Sequence, residues 1–81
     1  MSTLVIESRI APAQRVILGD DALTIDLADG RTVSVPLAWY PRLLHGTPKE
    51  RNNWRLIGGG IGIHWEDVDE DVSVESLLAT R

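Results

Sequence analysis

The sequence predicts an α+β domain on a mainly antiparallel five-stranded sheet: a three-stranded meander, short helices, a two-stranded hairpin and a short C-terminal helix. Three observations predict it. Residues 15–35 hold three runs of alternating apolar residues separated by turn-forming aspartates and a glycine. Thr47-Pro48-Lys49-Glu50 is a helix-starting box. Gly58-Gly59-Gly60 stands between two short apolar, tryptophan-bearing runs.

Each element follows from its residues. Leu4 and Ile6 alternate weakly with Val5, and Pro12 ends the run. Residues 1–13 are therefore assigned to an N-terminal arm or edge strand, and residues 14–81 to the single α+β domain. Residues 15–19 and 22–28 read as strands. A two-residue loop at Asp20-Asp21 sets Leu18 opposite Leu23 and Val16 opposite Ile25, with all four on one face. Asp29-Gly30 signals a second hairpin. A two-residue turn there would pair Ile25 with Ser34 and mix core with solvent faces. A three-residue loop of Ala28, Asp29 and Gly30, with a bulge at Gly30, pairs Ile25 with Val33 and Leu23 with Val35. Because a one-residue slip inverts every side chain, the second register is the predicted one.

Pro36 closes the third strand. Pro41 suits the first position of a helical turn reaching about His45, and Gly46 suits its C-terminus. The hydroxyl of Thr47, Pro48 at the first position and Glu50 at the third predict a helix over 48–53. Trp54–Ile57 and residues 61–65 are the last predicted strands, joined by a tight glycine turn. Ile61, Ile63 and Trp65 are expected on one face, with Gly62 and His64 on the other. Ser73 is the predicted N-cap of a final helix carrying Val74, Leu77 and Leu78, and residues 79–81 are expected to fray.

Bulk composition bounds the function. A domain of 81 residues buries roughly 60% of its unfolded surface, so tight dimerisation or a partner would help it. A content of 43% hydrophobic and 25% charged residues is ordinary for a globular chain and excludes disorder over most of it. The absence of cysteine excludes disulfides, thiol catalysis and cysteine-type zinc sites. No apolar run approaches the roughly 20 residues of a membrane span. The first residues lack a basic region followed by an apolar core, so the expected location is the cytoplasm. A net charge of −4 argues against nonspecific nucleic-acid binding and is compatible with a basic partner.

The triple glycine is followed by a strand rather than a helix and by no lysine–hydroxyl pair, so it reads as a turn rather than a phosphate loop. Glu66, Asp67, Asp69, Glu70 and Asp71 form an acidic run. Asp67, Asp69 and Asp71 alternate as calcium ligands do, but the bend glycine and the terminal bidentate glutamate are missing, so no metal is expected. The run reads instead as a solvated turn before a helix start, or as a surface for a basic partner. His64 lies beside it, but no serine has a nucleophile-elbow context, so a hydrogen-bonded histidine is expected rather than a catalytic one. Arg42, Lys49, Arg51 and Arg55 surround Trp39, Tyr40 and Trp54. Such interleaving can bind single strands, but the acidic chain favours aromatics as core or interface anchors and arginines paired with the acidic run. Whichever of Trp39 or Trp65 is exposed is the expected hot spot.

Trp39-Tyr40-Pro41-Arg42-Leu43, the segment from Thr47 through Trp54, Gly-Ile-His-Trp ending at Trp65, and Asp-Glu-Asp ending at Asp71 before Ser73-Val74-Glu75-Ser76-Leu77-Leu78 carry a resemblance. So does the Asp29-Gly30 turn followed by a valine-rich strand. Together they resemble the small bacterial domain-of-unknown-function family numbered 2442, over residues 15–78. The resemblance implies a small α+β domain of bacteria and their phages. Such domains are often encoded beside another small protein, in pairs proposed as toxin–antitoxin modules with this domain as antitoxin. Some members are fused to a helix-turn-helix domain; no such segment follows Leu78 here, so direct DNA binding is not expected. The resemblance carries no catalytic residues and no cofactor.

The reading is thus a non-enzymatic, protein-interaction domain, antitoxin-like, that binds a small, possibly basic protein. Its expected contact residues are His64, Trp65, Glu66, Asp67, Asp69, Glu70, Asp71 and Trp39. The alternatives are a homodimer with a structural or small-ligand role, and a metal-dependent enzyme.

Overall fold

The structure is a computed structural model and describes residues 11–79. The expected strand at residues 3–8 and the expected fraying at residues 80–81 lie outside the described residues. The domain is α+β, but its strands form two separate three-stranded antiparallel sheets rather than one five-stranded sheet.

The first sheet is the meander β1 (Ala13–Leu18), β2 (Ala22–Leu27) and β3 (Thr32–Pro36). Both registers read from the alternation are present: Val16 pairs with Ile25, Leu18 with Leu23, Ile25 with Val33 and Leu23 with Val35. Gly30 takes φ 96° in the three-residue loop, a conformation open to glycine and strained for other residues. β1 begins at Ala13, two residues before the expected start. The register shifts between Ala13 and Arg15, leaving Gln14 as the extra residue of a bulge that returns Ala13 to the core. The outer face is a polar ladder. Arg15 and Thr32 both donate to Asp26, and the Thr24 and Ser34 hydroxyls lie 2.9 Å apart.

After Pro36, a 3₁₀ turn (Leu37–Trp39) leads to α1 (Pro41–Leu44) and α2 (Pro48–Arg51). The capping box closes as expected: Glu50 N–H donates to Thr47 Oγ1 at 3.1 Å, and Thr47 N–H donates to Glu50 Oε1 at 2.9 Å. Arg51 then turns back to α1. Its Nε and Nη2 donate to the carbonyls of Leu43 and Leu44 at the C-terminal end of α1, where in-helix donors run short; the Leu43 carbonyl also accepts from Gly46 N–H.

The second sheet is β4 (Trp54–Ile57), β5 (Gly62–Trp65) and β6 (Glu70–Ser73), in that order. β6 makes the second sheet three-stranded. The acidic residues Glu70 and Asp71, expected before a helix, pair in register with Trp65 and His64 and give β5 a neighbour on each side. Low strand propensity is overridden because Val72 lands on the buried face opposite Ile63. Ser73 still caps the last helix, α3 (Val74–Ala79), accepting from Ser76 N–H at 3.0 Å. Ala79 belongs to that helix rather than to a frayed end. Ile61 departs from the expected face: its backbone is helical (φ −79°, ψ −14°) and its side chain is 59% exposed.

One apolar cluster joins both sheets, the 3₁₀ turn, α1 and α3. Val16, Leu23, Ile25, Leu27 and Val35 from the first sheet meet Ile63, Trp65 and Val72 from the second. Leu37, Leu43, Val74 and Leu77 complete it. The glycine turn locks the sheets together at one corner. A Cβ on Gly60 would stand 2.7 Å from Pro12 Cβ and 2.9 Å from the Ala13 carbonyl oxygen, so the turn touches the start of β1 directly.

Candidate interaction surface

The surface is built on the β5–β6 connection. Trp65 pairs with Glu70, and the four residues between them form the turn. Its last residue, Asp69, takes φ 52°, a left-handed conformation that aspartate tolerates better than most residues. Val68 is partly buried against the core and anchors the loop. Two side chains fix it from outside: Asn53 Nδ2 donates to Asp67 Oδ2 at 3.0 Å, and Arg42 Nη1 donates to the Asp69 carbonyl at 2.6 Å.

On the outer face of the second sheet the strand register aligns Arg55, His64 and Asp71. His64 Nδ1 lies 2.5 Å from Asp71 Oδ1, and Nε2 lies 3.1 Å from Glu66 Oε1. Glu66 Oε1 also lies 3.6 Å from Arg55 Nη2. A carboxylate at each ring nitrogen calls for a proton on both, the cationic imidazolium. The Asp71 hydrogen bond first, then its charge and that of Glu66, hold the His64 imidazole above its ordinary value against partial burial. Tyr40 sits close enough to Glu70 to feel its charge. Burial chiefly, and Glu70 in addition, push its phenol up.

The expected contact residues divide. Glu66, Asp67, Asp69 and Asp71 are exposed, Glu70 and His64 partly so, and all lie on this turn and its flanking strands. Trp65 does not belong to the surface. It is fully buried and donates from Nε1 to the Arg51 carbonyl at 2.8 Å. β5 alternation turns its indole inward beside Ile63, the face opposite to His64. Trp39, in contrast, is 44% exposed. Its segment abuts the turn through Tyr40 and Arg42. The expected pairing of arginines with the acidic run is made by Arg42, through a backbone carbonyl, and by Arg55. Arg51 caps α1 instead. Asn53 was not foreseen, because its carboxylate partner is 14 residues away and no local spacing links them.

Three carboxylates of the run are engaged internally: Glu66, Asp67 and Asp71. Those of Asp69 and Glu70 make no hydrogen bond or ion pair among the described residues. Also among the described residues, no three His, Asp or Glu side chains are placed to hold a metal ion, and there is no enclosed cavity. No helix there is long and apolar enough to cross a membrane.

A family model described as "Protein of unknown function (DUF2442)" matches residues 13–81. The chain belongs to this family. The DUF2442 match begins at Ala13, the first residue of β1, so the family unit and the two-sheet domain start together. No curated protein matches the chain. Among solved structures, the domain is similar to a protein of unknown function from Rhodospirillum rubrum ATCC 11170. The sequences are 25% identical over 88% of each chain, with a TM-score of 0.76.

Proposed function

We propose that this DUF2442 domain is a protein-interaction module, the antitoxin-like partner of a small basic protein encoded beside it in a bacterial two-gene pair, acting in the cytoplasm. One observation supports the reading above the others. An exposed indole, Trp39, lies on the segment that abuts an acidic turn, and the two are tied together through Arg42 and Asp69. Exposed tryptophan beside clustered charge of one sign is the composition of an interface centre with a steering rim. Asp69 and Glu70 supply the carboxylates not already engaged.

Co-expression with the product of the adjacent gene tests the reading. Wild-type chain is expected to copurify with it, and the Trp39→Ala, Asp69→Ala double variant to lose it. Full recovery of the neighbour by the double variant would remove the surface assignment.

A second reading has its own support. β4 has one strand neighbour among the described residues, and Leu56, paired with fully buried Ile63, is still 36% exposed. Pairing of β4 with its counterpart in a second copy would cover that edge. Light scattering on the isolated protein separates the two: a stable dimer favours the second reading, and a monomer that captures its neighbour favours the first.

A further inference from the structure

We propose that His64 is a proton-operated latch on the acidic turn: protonated, it clamps Glu66 and Asp71 together across the outer face of β5; neutral, it keeps Asp71 and lets Glu66 go. The geometry carries this. His64 is the central residue of a row in which the strand register fixes Arg55 on one side and Asp71 on the other, while Glu66 reaches back from the turn. Among the described residues, the charged groups facing the imidazole are Arg55 from β4, Asp71 from β6 and Glu66 from the connection. With the ring cationic, the contacts run Arg55, Glu66, His64, Asp71 in alternating sign, and each ring nitrogen donates to a carboxylate.

A neutral imidazole has one donor and one acceptor. The remaining proton stays on Nδ1, at the shorter contact of 2.5 Å, where Asp71 is held by strand pairing. Nε2 then presents a lone pair to Glu66 Oε1 at 3.1 Å, an acceptor against an acceptor. The Glu66 side chain, 68% exposed, has room to turn away, and Arg55 at 3.6 Å is its remaining counter-charge. Loss of the proton to solvent thus leaves the row one unit more negative and frees a carboxylate on the connection that also carries Asp69. On the docking role proposed above, a basic partner binds more tightly as pH rises through the His64 transition.

Proton–nitrogen NMR of the isolated chain tests the latch without any partner. Between about pH 5.5 and 9, the backbone amides of residues 66–71 are expected to follow the His64 ring, with a midpoint above the ordinary imidazole value of about 6.5. His64→Gln is expected to abolish that transition. The exposed change Glu66→Gln, which leaves the core untouched, is expected to lower the ring midpoint and to flatten the amide response of the turn. Turn amides that do not follow the ring, or a midpoint unmoved by Glu66→Gln, would overturn the latch. If the latch titrates as described and the neighbouring protein still shows no binding at any pH, the docking role fails and the latch stands.

Discussion

Replacing Gly60 by alanine tests how the two sheets are joined, with Gly59→Ala as its control. Both glycines have positive φ, 102° at Gly60 and 72° at Gly59. They differ in surroundings. A Cβ at Gly59 meets nothing within 4 Å. At Gly60 it would stand 2.7 Å from Pro12 Cβ, 2.9 Å from the Ala13 oxygen and 3.2 Å from the Ala13 nitrogen. Left-handed backbone costs a side-chain-bearing residue about 1–2 kcal/mol, and Gly59→Ala recovers part of that by restricting the unfolded chain. At Gly60 the strain is of order 1–3 kcal/mol, and overpacking against backbone adds about as much again. Ala13 is itself buried and paired with Leu27, so it has no free direction in which to yield. The expected losses are about 1 kcal/mol for Gly59→Ala and roughly 2–6 kcal/mol for Gly60→Ala, out of a total near 4–12 kcal/mol for a domain this size. Urea unfolding gives both values if the slope is unchanged. Equal losses for the two variants would refute the direct contact between glycine turn and β1.

Three further outcomes follow from the same structure. The folded-state His64 imidazole is held above its ordinary value, so its stabilising contribution is complete below about pH 6.5 and is lost as pH rises through the raised value. The urea midpoint should therefore fall as pH rises above about 6.5, and His64→Gln should remove that slope. Trp65→Ala should cost roughly 3–5 kcal/mol through the cavity it leaves, whereas Trp39→Ala should cost under about 1 kcal/mol. Thermal melts compare the two, and reversed costs would exchange their assigned places in core and surface. Thr47→Ala should lose about 1 kcal/mol with the capping box, and circular dichroism melts with an unchanged wild-type value would show that the cap does not hold α2.

The meander was legible because two constraints agreed there. Alternation demanded one register, and each loop length had to deliver it, so Ile25 could pair only with Val33. Pro41, Thr47 and Ser73 were legible because helix ends are local chemistry. β6 was not. Glu70 and Asp71 are poor strand formers, and the only apolar residue between them and the helix is Val72; its burial against Ile63 is a tertiary fact. One expected sheet is two because β4 and β5 pair with each other and β6, and not with the meander. Ile61 was misplaced because alternation was extended one residue into a turn whose three glycines had already broken the strand geometry. Of the expected surface, the acidic turn was readable from charge; which of Trp39 and Trp65 is exposed was not decided by composition. The inward direction of Trp65 was implicit in its shared face with Ile63. The ties from Asn53 and Arg42 connect residues far apart in sequence, and no periodicity announces them.

The most direct test of the docking role is the affinity of the purified chain for the purified product of its adjacent gene, measured by calorimetry across ionic strength. Binding that weakens steadily with added salt, and that Trp39→Ala and the paired change Asp69→Lys, Glu70→Lys each reduce at least tenfold, is the predicted result. Affinity unchanged by both variants and indifferent to salt would contradict it.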